Sequence, residues 1–403
     1  MDSSELVELL TGDGLRLLDS LPPWESNANV VSMVSELRSA GHSPARVAAV
    51  LTQSKLRAKA VAKFGLFAER MLFTEAGLEQ ATRLRVAALH AGRFQAAGLT
   101  NVADLGSGIG GDALAIAALD IAVTAVERDE VTAAIAAYNL APWSNAAVVN
   151  ADATEFDLSD FDGVYLDPAR RTAGHQNTSR ITNPADYSPS LDFAFGLADR
   201  LPTGIKLGPG IDRDLIPGDA EAQWISVDRD VVELGLWFGA VARPGIARSA
   251  LVLGEHGSAE LNSDADSVDV ETGELGAFVY EPDGAVIRAR LIGDLGRKLG
   301  ATMLSDGIAY LSSDTAASTP FAACFRVTEV FTLDERRIKR ELAARDIGSL
   351  EIKKRGVDID PAAFRKRLGL RGAGAATLIL TRIAGRHAAL LCERVLFPQP
   401  TLS

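Results

Sequence analysis

Between residues 102 and 207 the sequence alternates short β-branched runs with alanine-rich stretches, and this alternation constrains the fold more than any other feature. VADL (102–105), IAVTAV (121–126), AVVN (147–150), DGVYL (162–166) and GIKL (204–207) read as buried strands. Helices are expected from about 111, through Asn139, and near 189–200. Strands joined by helical crossovers lie parallel, because a tight hairpin can only reverse the chain, and helices then cover both faces of the sheet. The expected centre of the chain is therefore an α/β sheet of the Rossmann-like kind.

The flanks differ in character. Residues 1–95 carry apolar residues at helical spacing (Leu6, Leu9, Leu10; Leu78, Ala81, Leu84, Ala88), which predicts a helical N-terminal domain. The sheet domain is expected over 96–254, with QWISV and VVELGLWF forming a hairpin around Asp228-Arg229-Asp230. Residues 255–275 hold seven acidic residues and no Lys or Arg, the composition of a solvated linker or loop. Segments 276–330 and 331–403 mix strand and helix patterns, and no internal repeat is visible. A length of 403 residues suits two or three such domains.

Charge is uneven. Residues 331–403 carry 15 Lys and Arg against 8 Asp and Glu, a net of +7, which leaves 26 against 45 and a net of −19 for residues 1–330. An acidic body repels nucleic acid at long range, but a basic tail can still dock on phosphates. The opening MDSSELVELL lacks the basic start of a secretory leader, and no run of about 18 apolar residues suggests a membrane span. Cys324 and Cys392 are too few for a disulfide framework or a zinc site, so a cytoplasmic protein is expected. His42, His90, His175, His256 and His387 have no metal-ligand spacing, no Ser/His/Asp set stands out, and no metal is expected.

The chemistry concentrates in NVADLGSGIGGDALAIA. A strand ends at Asp104-Leu105; Gly106, Gly108, Gly110 and Gly111 follow, and then a helix begins. Glycines here permit a tight turn and close approach of backbone to a ligand. The same letters satisfy G-x-G-x-x-G, so a dinucleotide site or a plain strand-to-helix turn are both open on this motif alone. Asp104 replaces the apolar residue usual in dinucleotide sites and suits a ligand bearing a cation. Glu127 closes the second strand, 17 residues beyond Gly110, where a carboxylate can accept both hydroxyls of a ribose. Asp152 follows the third strand, where it can accept from an adenine amine. The fourth strand ends at Asp167-Pro168-Ala169-Arg170-Arg171, and Asp167 should face the same crevice unless it merely caps a turn. Lys206, at the end of the fifth strand, and Gln80 and Thr82, ahead of the sheet, are either cleft residues or structural ones.

With these residues in hand, the chain resembles the class I S-adenosylmethionine-dependent methyltransferases over roughly 96–245. DLGSGIG resembles that family's D/E-x-G-x-G-x-G motif. The resemblance implies S-adenosylmethionine as cofactor, held by Asp104, Gly106, Gly108, Gly110, Glu127 and Asp152. LDPARR resembles the fourth motif, which reads D/N-P-P-Y/F in amino-group methyltransferases; Asp167 and Pro168 fit, whereas Ala169 and Arg170 replace the second proline and the aromatic. Asp167, Pro168 and Arg170 are thereby implied as the catalytic set, with Arg170 free to stack on a base or to pair with an anion.

A narrower resemblance rests on GLEQATRLRVAALHAGRF (77–94), on DPARR and on KKRGVDIDPAAFRKRL with TLILTR. These are similar to bacterial methyltransferases with a THUMP-like C-terminal domain. The resemblance implies a ferredoxin-like segment over 276–330, starting at YEPDGAVIRARL, ahead of a THUMP-like domain over 331–403. The helical N-terminal part is also similar to that of trimethylguanosine synthase. THUMP domains are associated with structured RNA, so an RNA partner is implied through residues 276–403, with a nucleobase nitrogen of tRNA or rRNA as methyl acceptor. The clusters Lys353-Lys354-Arg355 and Arg365-Lys366-Arg367 are the candidates for phosphate contact. A protein or small-molecule acceptor, a vestigial cofactor fold that only binds RNA, and a nicotinamide dehydrogenase are the competing expectations. Nothing in the sequence indicates an oligomeric state.

Overall fold

The helices that precede the first strand are α1 (Ser3–Leu9), α2 (Gly12–Ser20), α3 (Val30–Ser39), α4 (Pro44–Phe64), α5 (Glu75–Gln80) and α6 (Leu84–Ala96). The computed structural model describes residues 3–26, 29–170, 187–255 and 257–397. The long helix α4 starts where its sequence provides both signals for it: the Ser43 hydroxyl accepts from the Arg46 N–H, and Pro44 occupies the first turn. It buries Val47, Val50, Leu51, Leu56, Ala60 and Phe64.

The sheet follows as β1 (Asn101–Leu105), α7 (Gly111–Ala117), β2 (Ala122–Glu127), α8 (Glu130–Leu140), β3 (Ala146–Asn150), β4 (Gly163–Leu166), the short strands β5 (Ala169–Arg170) and β6 (Tyr187–Ser188), α9 (Leu191–Ala198) and β7 (Thr203–Leu207). Five strands run parallel in the order β7-β4-β1-β2-β3. From β1 the chain builds outward through β2 and β3, then crosses to the other side for β4 and β7. Such a reversal opens a crevice outside the carboxyl ends of the strands on either side of it, here β1 and β4.

Every residue of α7 is buried. Alanine at 113, 115 and 117 lets the helix lie close between the sheet and α6. The N-terminal helices are not separately packed: Leu9, Val50 and Phe64 share one apolar cluster with Phe94, Val102, Tyr165 and Trp237. Phe94 meets both Tyr165 and Trp237 edge-on, with centroids 6.2 and 6.3 Å apart.

The chain packs as two units, residues 1–220 with 236–243, and residues 221–235 with 244–403. The second unit contains β8 (Glu221–Val227), most of β9 (Asp230–Phe238), β10 (Arg248–Gly254) and β11 (Gly257–Ser263). Asp228 and Arg229 both have positive φ, 50° and 73°, as the two central positions of a type I′ hairpin turn require. β11 pairs antiparallel with β10, so part of the acidic stretch expected as linker is a strand.

Further along lie β12 (Phe278–Pro282), α10 (Gly284–Arg288), α11 (Ile292–Leu299), β13 (Thr302–Met303), β14 (Leu311–Ser313), β15 (Ala322–Thr332), α12 (Glu335–Ala344), β16 (Ile347–Lys354), α13 (Pro361–Leu368), β17 (Gly374–Ile383) and β18 (Arg386–Arg394). Their strands form one sheet in the order β13-β14-β12-β15-β18-β17-β16. The division expected between 330 and 331 falls inside β15. That strand pairs with β12 through residues 322–326 and with β18 through 325–332, which fastens the two expected segments into a single sheet. Cys324 and Cys392 are buried free thiols. Among the described residues no helix is long and apolar enough to cross a membrane, and no group of three or more His, Cys, Asp or Glu is arranged to hold a metal.

Truncating the fully buried Phe94 to alanine removes two ring contacts and leaves a cavity. Phe94→Ala is expected to destabilise the first unit by about 3–5 kcal/mol, read as a lowered melting transition by calorimetry.

Candidate functional site

Past Leu105 the chain turns sharply. The N–H groups of Gly106 and Ser107 donate to the Val126 carbonyl at 2.9 and 3.1 Å, and the Gly110 N–H donates to Ser107 O at 2.9 Å. Gly106, Gly108 and Gly110 have φ of 80°, 55° and 82°, a region that residues with a Cβ rarely adopt. This bend is one wall of a cleft of about 680 Å³. The other walls come from Glu127-Arg128, from Asp152 and its neighbours, from Asp167-Pro168, and from residues 74–82 around α5.

Of the residues expected at the site, Gly106, Gly108, Glu127, Asp152, Asp167 and Pro168 line this cleft. Gly110 stands behind it, where a Cβ would press on the Leu140 side chain at 3.3 Å. Asp104 does not line it either. Its side chain is buried beneath the bend and takes a backbone hydrogen bond from Ala113 in α7, while Oδ2 has no hydrogen-bond partner. Burial pushes the Asp104 carboxyl well above the usual range, and the nearby carboxylates of Asp112 and Asp167 push the same way against Lys206. Asp104, expected to meet a cationic ligand, lies under the bend. The backbone of Arg170 belongs to β5, but its side chain, like Arg171 and His175, lies outside the described residues.

Glu127 is fixed by the backbone on both sides. Its Oε2 accepts from the Gly108 N–H at 3.0 Å and its Oε1 from the Asp129 N–H at 2.9 Å. Each oxygen keeps a second lone pair for a ligand hydroxyl. Asp152 is exposed; its Oδ1 accepts from the hydroxyl and N–H of Thr154 at 2.7 and 2.8 Å, and these bonds hold its carboxyl below the usual range.

From Thr82 and Asp112 in the cleft lining runs a polar network that the sequence did not reveal. Asp112, in the first turn of α7, accepts from the Thr82 hydroxyl at 2.7 Å and lies 2.9 Å from His90 Nδ1. Tyr165 OH is 2.9 Å from the same nitrogen. Burial alone would raise the Asp112 carboxyl, yet the His90 hydrogen bond and charge, with Lys206 and Thr82, bring it below its ordinary value. The Lys206 ammonium donates to Thr82 Oγ1 at 2.9 Å and forms a close ion pair with Asp167. Lys206 is therefore part of the site's support and not a solvated residue. Helical spacing could not find His90 or Asp112, because their pairing depends on how α6 packs against α7.

Two curated proteins of Mycobacterium tuberculosis, from strains CDC 1551 / Oshkosh and H37Rv, are each 35% identical to this chain over 337 residues. The match covers 81% of this chain and 90% of theirs, and both are named uncharacterized S-adenosylmethionine-dependent methyltransferases. The chain belongs to this methyltransferase family. A crystal structure from Porphyromonas gingivalis W83, assigned provisionally as a methyltransferase, superposes with a TM-score of 0.72 at 20% identity, covering 98% of this chain and 100% of that one. The likeness extends the shared fold to nearly the whole methyltransferase. Residues 322–394 match a family described as THUMP domain-like, and residues 2–60 match a domain of unknown function, DUF8688.

The enzyme uses S-adenosylmethionine as its cofactor. The volume of the cleft lies in the range of small-ligand sites. The left-handed glycines allow a ligand to approach the backbone, and the fixed carboxylates of Glu127 and Asp152 are acceptors matching the hydroxyl and amine donors of an adenosyl group.

The raised Asp104 carboxyl has a thermodynamic signature. The unfolded chain loses this proton near pH 3.9, whereas the folded chain keeps it to higher pH, so Asp104 subtracts stability progressively as pH rises above about 4. Asp104→Asn is expected to raise the melting temperature at neutral pH, with the gain shrinking toward pH 4. Calorimetry of both proteins across that range checks the sign.

Proposed function

We propose that this methyltransferase modifies a nucleobase nitrogen in structured RNA, and that Asp167 and Pro168 hold the accepting amine. The observation that carries this reading is the presence of Asp167-Pro168, at the end of β4, in the same cleft as the glycine bend and Glu127. The cofactor, when bound, supplies a methyl group already activated by the sulfonium. The task left to the protein is alignment, and a well-oriented pair of reactants can lower a barrier by about 7–11 kcal/mol.

A base amine is a poor nucleophile because its lone pair is delocalised into the ring. Two acceptors for its N–H bonds, the Asp167 carboxylate and the Pro168 carbonyl, would direct that pair toward the methyl. Lys206 supports this role: its ammonium pairs with one side of Asp167 and stabilises the carboxylate that must accept. Arg170 stands where amino-group methyltransferases carry an aromatic, and its planar guanidinium is suited to stack on the base. Glu127 and Asp152 are assigned to the ribose and the adenine of the cofactor. Asp104 is assigned a supporting role under the glycine bend.

RNA as the substrate is favoured by the THUMP-like match over 322–394 and by the net +7 of residues 331–403. The basic clusters contribute unequally. Lys353 is paired with Glu281 and Glu351 at 2.7 and 3.2 Å, Arg355 lies 5.5 Å over the Tyr310 ring, and Arg367 is paired with Glu335 at 3.0 Å. Lys354, Arg365 and Lys366 are exposed, and they are the residues assigned to phosphate.

Incubated with methyl-tritiated cofactor, the enzyme is expected to label RNA from cells that lack it. Asp167→Ala should lower that rate about 10²-fold or more while changing cofactor affinity little, whereas Glu127→Ala should weaken cofactor binding by calorimetry. Label in protein or metabolite fractions and in no RNA would overturn the choice of substrate. RNA binding by the full chain should also weaken steeply with salt, and Lys354→Ala should flatten the log–log slope by about one unit. A slope near zero would remove the phosphate assignment.

A further inference from the structure

Residues 74–82 form a cleft wall that cannot support itself. Thr74, Ala76, Gly77, Gln80, Ala81 and Thr82 face the cleft, and the helix within the segment, α5, has only six residues. A helix of that length is unstable alone, and its last carbonyls have no intrahelical donors. At its start the Thr74 hydroxyl accepts from the Gly77 N–H at 2.9 Å. Gly77 lies directly against the glycine bend: a Cβ there would come within 2.5 Å of Ile109 Cγ2.

At the other end, four successive carbonyls fall on two ammonium groups. Lys63 Nζ donates to Leu78 O at 2.8 Å, to Glu79 O at 2.7 Å and to Ala81 O at 2.7 Å. Lys206 Nζ reaches Gln80 O at 3.4 Å and Thr82 Oγ1 at 2.9 Å. We infer that Lys63 is a positioning residue of the cofactor cleft, whose ammonium gathers the carbonyls of Leu78, Glu79 and Ala81 and mounts the wall against the glycine bend.

The position of Lys63 is costly for a charge. It sits near the end of α4 between the buried Ala60 and Phe64, in a partly desolvated position. Burial and the nearby cations Arg83, Lys206 and Lys59 pull its ammonium down to about 8, and Glu79 opposes them only in part. An uncharged side chain would spare the fold that repulsion, but it could not bind three carbonyls at once. The hydrogen bonds of Lys63 run to backbone oxygens of the wall.

The inference rests on the cleft being the cofactor site, and the test separates the two. The full chain carrying Lys63→Met is compared with wild type for S-adenosylmethionine affinity by calorimetry and for hydrogen exchange of the amides of 75–82. If the wall is seated in only about a tenth of the mutant molecules, the Kd rises about tenfold, and exchange at 75–82 accelerates while the sheet stays protected. Lys63→Arg, which keeps several donors, should bind within about threefold of wild type. Should Lys63→Met fail to fold, the neutral and polar Lys63→Gln carries the same two readouts. Unchanged affinity, or weakened affinity with unchanged exchange at 75–82, overturns the inference. Glu127→Ala is the control: if it too binds like wild type, the cleft is not the cofactor site, whereas if it weakens binding and Lys63→Met does not, only the role of Lys63 falls.

Discussion

The cleft of this methyltransferase depends on one neutralisation. Asp104, Asp112 and Asp167 crowd the carboxyl ends of β1 and β4, and two of the three are buried. Taking carboxylates out of water costs several kcal/mol each unless a partner offsets it. Lys206 supplies that partner from the end of β7: it pairs with Asp167, shares the Thr82 hydroxyl with Asp112, and its charge opposes the proton affinity of Asp104. His90 completes the compensation on the far side of Asp112. The glycine bend lies above this arrangement, so its shape and the charge balance below it are set together.

The parts of this site that can be read from sequence are those whose geometry is local. A glycine run between a strand and a helix, and acids at the ends of successive strands, keep fixed spacings along the chain, so Glu127, Asp152 and Asp167 could be named without a structure. His90, Asp112 and Tyr165 could not. They are brought together by helix packing across 22 and 75 residues, and no periodicity carries that information. Asp104 occupies the motif's expected place, and only the structure shows that its side chain is buried against α7.

Composition misled in a different way in the second unit. Of the seven acids between 255 and 275 only Glu260 falls in β11, an edge strand, and its carboxylate accepts from Gln223 and Ser249, whereas five of the others follow the strand. The position of the expected boundary near 330 lies inside β15, which is eleven residues long and changes pairing partner along its length. The change of pattern in the sequence coincides with a change of neighbour within one sheet. In the basic segment, strand alternation sends Lys353 to an ion pair with Glu281 and leaves Lys354 exposed, so adjacent cations have different roles.

The chain enters the second unit after residue 220, returns to the first at 236 and leaves it again after 243, so β9 begins in one unit and ends in the other. A domain appended to an enzyme can be shed by one cut. Here the chain passes between the units three times, after residues 220, 235 and 243, so no single cut of the chain separates them.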